Sequence, residues 1–455
     1  MSTSQTHVLA YPFPSSGHVI PIIDLAKALV SRGVRVTVLV TSSNQALVPT
    51  TYSPLLQTLL LPAPNASDPN QIRLVALVTF MRQYHYPILL DWAQAHLPPP
   101  SVIISDFFLG WTHHLARDLN VPRLVFSPSG AFALSVSYSL WRDTPRNDNP
   151  EDPNSVVSFP DLPNSPVYPW WQITHQFTAP ERGGPEWEFH RENMLFNIDS
   201  WGVVFNTFTE LERVYLDHMK KYLHQRVWAV GPVLPDQKSG PENRGGSSTV
   251  TRHNLMEWLD ARADGSVVYV CFGSRTFLTN SQMEVLTRAL ELSGVHFILS
   301  VRTPDERHVA QGHGKIPSGF ADQVRGKGFV IEGWAPQLVI LSHGAVGSFM
   351  THCGWNSVVE GLVSGVVMLT WPMGADQYTN AKLLVDELGV AIRAAEGIEK
   401  VPEAIVMAKS MERSLGMTKE RVRALELRNA ALRAIKKDGS SHKDLDALVH
   451  KLNQL

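Results

Sequence analysis

Residues 334–377 read WAPQLVILSHGAVGSFMTHCGWNSVVEGLVSGVVMLTWPMGADQ. Within them an apolar run, GAVGSFMTH over Gly344–His352, breaks at Cys353-Gly354 and gives way to a helical pattern. A strand that turns through glycine into a helix presents open backbone N–H groups at the helix start, the setting in which a diphosphate binds. His352, Asn356 and Ser357 add side-chain donors around that turn. Ser357 also stands three residues before Glu360, the spacing of a capping box, so for Ser357 an ordinary helix start is an equal reading. The stretch opens on an aromatic platform, Trp334, with Gln337 close behind, and closes on a carboxylate and an amide, Asp376-Gln377.

The flanks supply the fold. Strand-like Ser266–Phe272, Val295–Val301 and Gly328–Ile331 precede the stretch, with a helix near 280–293, and helices are expected at 380–388, 402–414, 418–437 and 441–453. The N-terminal half repeats the pattern. His7–Phe13 is a strand, Pro14-Ser15-Ser16-Gly17 breaks it, and Ile22, Leu25, Ala26 and Leu29 fall on one helical face. Val34–Thr41 completes a βαβ unit, and Ser101–Ser105, a helix near Trp111–Leu119 and Arg123–Ser127 continue it. Residues 144–184 are dominated by Pro, Asn and Asp and read as a long irregular excursion, after which Gly202–Asn206 and Arg226–Val230 return to the sheet. Strands alternating with helices imply parallel sheets covered on both faces. The fold expected is therefore α/β, two facing Rossmann-like doubly wound domains with a cleft between them. Their bounds are 1–236 for an acceptor-binding domain, 237–250 for a Gly/Pro-rich linker and 251–437 for a donor-binding domain. A helix over 438–455 packs back on the first domain in this expectation.

With 455 residues, 44% apolar and 18% charged, the chain is a well-buried protein too long for one core. A net charge of −2 offers no field to attract nucleic acid or an anionic membrane. Two isolated cysteines, Cys271 and Cys353, fit a reducing compartment. The opening MSTSQTHVLAYPFP lacks the basic region and apolar core of a signal peptide, and no apolar run reaches the length of a membrane span. A cytoplasmic monomer is expected.

In its order and density, the 334–377 stretch resembles the signature box of the plant secondary-product glycosyltransferases, family 1 enzymes of the GT-B type. These move a sugar from a uridine diphosphate donor onto small lipophilic acceptors. The resemblance implies that Trp334 stacks on uracil, with Ala335 and Gln337 also at the donor, and that Glu360 binds both ribose hydroxyls. It sets His352, Gly354, Asn356 and Ser357 at the diphosphate and Asp376 and Gln377 on the hydroxyls of the sugar. Trp355 together with a terminal Gln is the pattern associated with glucose. Stacking on a flat aromatic face is worth about 1–3 kcal/mol per base, and a carboxylate matches a vicinal diol. In the first domain the resemblance makes His18 the base, just after Gly17, with Asp106 as its partner. A neutral imidazole suits proton abstraction near neutral pH, and the carboxylate holds its tautomer. Gly273 and Ser274, at the end of the first strand of the second domain, either approach the phosphates or form a plain turn.

This chain departs from the family at Pro128, where relatives offer a small hydroxyl residue near C6 of the sugar; Ser127 and Ser129 flank it as substitutes. It departs again at Met373-Gly374, where relatives carry bulky aromatics, which should widen the acceptor side. The function implied is inverting transfer of glucose from a UDP-sugar co-substrate to a phenolic or flavonoid hydroxyl, with no metal and no further cofactor. UDP-rhamnose or UDP-xylose is the alternative donor, and a non-catalytic nucleotide-sugar binder a remote one. An oxidoreductase lacks its Gly-x-Gly-x-x-Gly turn after the first strand. Asp444-Leu445-Asp446 imitates a metal-binding pair but reads as the solvated face of a helix, and His113, His114 and His343 read as structural.

Overall fold

The computed structural model describes residues 6–48, 52–64, 73–149, 151–152, 154–178, 182–235 and 248–455. The chain divides into two compact units, one of residues up to Leu234 with Arg433–Leu455, the other Pro235–Leu432. Most of the stretch expected as a linker, 237–250, lies outside the described residues.

The first unit is built on strands β1 (His7–Tyr11), β2 (Arg35–Thr41), β3 (Leu56–Leu61), β4 (Val102–Asp106) and β5 (Arg123–Ser127). A small antiparallel hairpin, β6 (Val156–Ser158) and β7 (Val167–Pro169), precedes β8 (Gly202–Phe205) and β9 (Val227–Ala229). The seven-stranded sheet runs β3-β2-β1-β4-β5-β8-β9 and is parallel throughout. Successive residues of a strand point to opposite faces. Val8 and Ala10 of β1 therefore join one core with Ile22, Leu25 and Leu29 of the helix Ser16–Val30, while Leu9 and Tyr11 join another with Ile103, Leu109 and Trp111. Because both faces are covered, β1, β4 and β5 are buried from end to end. The helix Ser440–Leu452 belongs to this unit, with Leu445, Leu448, Val449 and Leu452 in the first of those cores.

The second unit carries β10 (Val267–Cys271), β11 (His296–Val301), β12 (Gly328–Glu332), β13 (Val346–Thr351), β14 (Val367–Thr370) and β15 (Ala391–Arg393). Its six-stranded sheet runs β12-β11-β10-β13-β14-β15, again parallel. Both units are doubly wound α/β domains of the Rossmann-like kind. In each, the strand order reverses beside the first strand, between β1 and β4 and between β10 and β13. That crevice beyond the carboxyl ends is where such sheets bind ligands.

The structure corrects several expectations. The 144–184 excursion is not wholly irregular, since β6 and β7 bury Val157 and Tyr168. The helix expected at 380–388 begins at Gln377 and runs on through a π-turn over Leu383–Glu387. The second unit ends at Leu432 rather than 437, inside the helix Lys419–Ala434. Helices at Ala131–Asp143, Pro185–Leu195 and Thr209–Tyr222 add to those expected from the sequence. The first of these, AFALSVSYSLWRD, is buried on nearly every side, so it has no polar face to set a period.

Candidate functional site

In the first unit β1 and β4 are neighbours, Tyr11 opposite Ser105, so the turn leaving β1 meets the residue that ends β4. His18 sits in the first turn of the helix Ser16–Val30 and Asp106 closes β4. Their side chains meet at 2.7 Å, His18 Nδ1 to Asp106 Oδ2. An ionised carboxylate only accepts, so Nδ1 carries the proton and Nε2 keeps its lone pair. The Asp106 side chain is fully buried and that of His18 is 15% exposed, so the pair has one open end. Asp106 Oδ1 also accepts the Phe108 N–H at 3.0 Å, capping the short turn Phe107–Leu109. The rings of Phe107 and Phe108 lie roughly parallel to the imidazole, at 5.9 Å and 5.2 Å, and Phe13 meets it edge-on at 5.4 Å. Three apolar rings shield the base from water, and a positioned imidazole backed by a buried carboxylate is equipped for proton abstraction. Gly17 is exposed in the same turn, and a Cβ there would meet nothing within 4 Å.

The loop after β5 gives the Ser127 hydroxyl a partner of its own. Fully buried, it donates to the Ser129 carbonyl at 2.8 Å and so is turned into its own loop.

In the second unit the loops after β10 and β13 converge on His352. A Cβ added at Gly354 would lie 2.5 Å from His352 Nε2, and one at Gly273 2.6 Å from Cε1. Both glycines are thus required by the closeness of the imidazole. Cys353, next to His352, is left-handed, φ 66°, as is Ala375 before Asp376, φ 53°. Non-glycine residues held there mark turns that the surroundings over-determine. Gly354 caps the helix Trp355–Ser364 with no side-chain bond, and a helix N-terminus is a setting that favours an anion. Burial pushes the His352 pKa down to about 4, so the ring stands neutral at physiological pH and offers a single N–H donor.

The capping box expected of Ser357 and Glu360 does not form, because Gly354 takes the cap and Ser357 is already inside the helix. Instead Gln337, at the start of the short helix Gln337–Leu341, donates to Ser357 Oγ at 3.1 Å and Glu360 Oε2 at 2.8 Å. Gln337 thus joins Ser357 and Glu360, from a segment at least twenty residues away, in one polar cluster. Trp334 is half-buried, and its indole N–H has no partner. Trp355 is buried, and Ser274 is half-buried two residues after Phe272.

At the end of the stretch, Gln377 Oε1 accepts the N–H groups of Met373 (2.9 Å) and Gly374 (3.1 Å). With its oxygen so used, the amide presents its –NH2 as a donor. Asp376 accepts from Asn380 Nδ2 at 3.0 Å, and the same nitrogen donates to the Cys353 carbonyl at 2.9 Å. Asn380, almost wholly buried, therefore ties the glycine turn to the Asp376 carboxylate. Sequence reading missed it, although its i, i+4 spacing from Asp376 was the signal.

The remaining candidates are structural. Asp444 is no solvated face: it is partly buried and accepts the Ala229 N–H at 2.8 Å, while Asp446 pairs with Arg32. His343 accepts the Ala345 N–H and contacts Asp260, and His113 and His114 pack on Phe196. Among the described residues no group of three or more His, Cys, Asp or Glu side chains gathers as a metal site.

The family described as UDP-glucoronosyl and UDP-glucosyl transferase matches residues 213–399. A flavonol 3-O-glucosyltransferase of Arabidopsis thaliana is 46% identical, over 98% of this chain and 96% of its own. UDP-glycosyltransferase 89B2 of Stevia rebaudiana is also 46% identical, over 98% of each chain. Among solved structures, UGT89C1 of Arabidopsis thaliana complexed with UDP-L-rhamnose is similar at TM-score 0.81 and 34% identity, over 99% of this chain and 100% of that one. The same enzyme complexed with quercetin aligns at TM-score 0.77 and 32% identity, with the same coverage.

Proposed function

This chain belongs to the plant UDP-glycosyltransferase family, and from that premise we propose that it moves glucose from UDP-glucose to a hydroxyl of a phenolic or flavonoid acceptor, with inversion at the anomeric carbon. The observation that carries the chemistry is the 2.7 Å bond between His18 and Asp106. His18 Nε2 takes the proton of the acceptor hydroxyl as that oxygen attacks the anomeric carbon. The bond from that carbon to the diphosphate oxygen breaks, the sugar ends on the acceptor oxygen, and UDP leaves with the electron pair. Asp106 steadies the imidazolium that forms.

Charge developing on the diphosphate falls to the N-terminus of the Trp355–Ser364 helix, with His352, Asn356 and Ser357, in place of a metal ion. Trp334 supplies a face for the uracil, and the cluster of Gln337 and Glu360 suits the nucleoside. Gln377 donates to the sugar, and Asp376, braced by Asn380, accepts from it. A cytosolic monomer is part of this reading; among the described residues no helix is long and apolar enough to cross a membrane.

The Arabidopsis relative at 46% identity is a glucosyltransferase, which supports glucose. A second reading, transfer of rhamnose or xylose, is favoured by Pro128 and by a Ser127 hydroxyl committed to its own loop, sugars that lack a C6 hydroxyl losing nothing there. UDP-glucose, UDP-rhamnose and UDP-xylose offered together at equal concentration, against a panel of flavonols and simple phenols, decide by product mass. A hexose adduct is expected, and Gln377→Ala should cost about 1–3 kcal/mol of transition-state stabilisation. A deoxyhexose or pentose adduct in excess overturns the glucose assignment.

A further inference from the structure

The turn Phe107–Leu109 faces His18 with two rings, and its back is held by a polar lattice that plays no part in the transfer chemistry. Three successive carbonyls each take a buried donor. Asn197 Nδ2 donates to the Phe107 carbonyl at 2.7 Å, Asn193 Nδ2 to that of Phe108 at 2.7 Å, and Arg123 Nη2 to that of Leu109 at 3.4 Å. Each amide is anchored at its other end as well. Asn193 Oδ1 accepts the Trp111 N–H and Asn197 Oδ1 accepts from Arg123 Nη2, both at 2.8 Å. Arg123 completes the lattice through Ser105 Oγ (2.9 Å) and Thr112 Oγ1 (2.8 Å). All three side chains are no more than 3% exposed. Gly110 admits the lattice, because a Cβ there would lie 1.7 Å from the Asn193 carbonyl oxygen.

We propose that Asn193, Asn197 and Arg123 are positioning residues for the transfer reaction, holding the 107–109 turn by its carbonyl oxygens so that Asp106 and the two phenylalanine rings fix the His18 imidazole. This rests on the reading of His18 as the base. The turn is rigid as a unit: the Phe108 N–H that binds Asp106 and the Phe108 carbonyl that binds Asn193 belong to the same residue. A shift at the back therefore reaches the carboxylate directly. Asn193 lies in the Pro185–Leu195 helix and Asn197 just beyond its end, one helical turn on, so the two close on the turn from the same side. Buried Arg123 makes its contacts with neutral oxygens, and burial brings its pKa down to about 10, so it remains a cation.

The test uses Asn193→Ala and Asn197→Ala in the full chain, with Asn197→Ser as a milder variant that keeps a hydroxyl for Arg123 but not the reach to Phe107. Rates are expressed per folded molecule, counted by near-ultraviolet circular dichroism well below the first unfolding transition. We expect kcat to fall about 10- to 100-fold, as misplacement by an ångström does, with donor KM within about twofold of wild type. An imidazole held less closely to a carboxylate anion loses its proton more easily. The acid limb of the kcat–pH profile should therefore move to lower pH. Reduced thermal stability with an unchanged kcat and acid limb marks the lattice as structural only and overturns the proposal. His18→Ala, assayed alongside, separates the two failures. Near-wild-type turnover there removes the base itself, whereas an inactive His18→Ala beside fully active asparagine variants removes only the positioning role.

Discussion

Gly354→Ala perturbs the turn proposed to hold the diphosphate by one methyl group. The backbone there, φ −60° and ψ 140°, suits alanine, so no dihedral strain enters. The new Cβ would stand 2.5 Å from His352 Nε2, 2.9 Å from Cε1 and 3.4 Å from Cδ2. Ordinary contact begins near about 3.5 Å, so the ring must retreat by about 1 Å. Gly273 crowds the same Nε2–Cε1 edge, so the imidazole cannot simply turn in place. Displacement on that scale costs up to about 100-fold in a polar site, or about 2.7 kcal/mol in donor binding. Exchanging one weak N-cap for another adds at most about 1 kcal/mol of helix stability. Calorimetric titration with UDP measures the first quantity and thermal unfolding the second. Gly374→Ala is the control within the same stretch, since a Cβ there meets nothing within 4 Å and its φ is not positive. UDP binding within twofold of wild type by Gly354→Ala refutes the cradle. Equal loss in both variants refutes the argument from closeness.

His18→Ala should fold and bind UDP but lose about 10²–10⁴ in kcat, and Asp106→Asn should follow, since an amide donor favours the wrong tautomer; an inert Asp106→Asn calls for another carboxylate. Chelators should leave activity unchanged, and abolition with rescue by a divalent ion overturns the metal-free reading. Burial holds the pKa values of His7, His190 and His352 at about 4, below the ordinary 6.5. Between those values the unfolded chain binds protons that the fold excludes, so each group stabilises above pH 6.5 and loses that contribution as pH falls toward 4, up to about 3 kcal/mol apiece. Urea unfolding at pH 7 and 4.5 measures it, and equal midpoints contradict it.

The chain is most legible where chemistry and chain order coincide. The glycine turn, Trp334 and the Asp376-Gln377 pair lie within one stretch, and His18 and Asp106 each stand by the end of a strand of unmistakable apolar character. What stayed hidden is contact between distant segments. Nothing in 185–197 announces that Asn193 and Asn197 will reach the carbonyls of 107 and 108, because an amide on a weakly amphipathic helix looks the same whether solvated or buried. Ser357 was ambiguous for a related reason. Its spacing from Glu360 satisfies a local rule, and only the arrival of Gln337 from another element shows which partner wins.

The helix Ser440–Leu452 sets an order on biosynthesis. It fills the β-sheet core of the first unit with Leu445, Leu448, Val449 and Leu452, and Thr6 bonds to the Leu452 carbonyl. Yet the ribosome delivers it only after the whole of 235–432. Throughout that interval the nascent first unit has every strand of its sheet and both members of the His18–Asp106 pair, while Trp228 of β9, the strand this helix packs against, waits for a cover. The first unit to be translated is thus the last to be sealed. A ribosome that stalls before residue 440 releases a chain with its reactive groups present and a greasy flank open, the kind of species that chaperones hold and proteases remove.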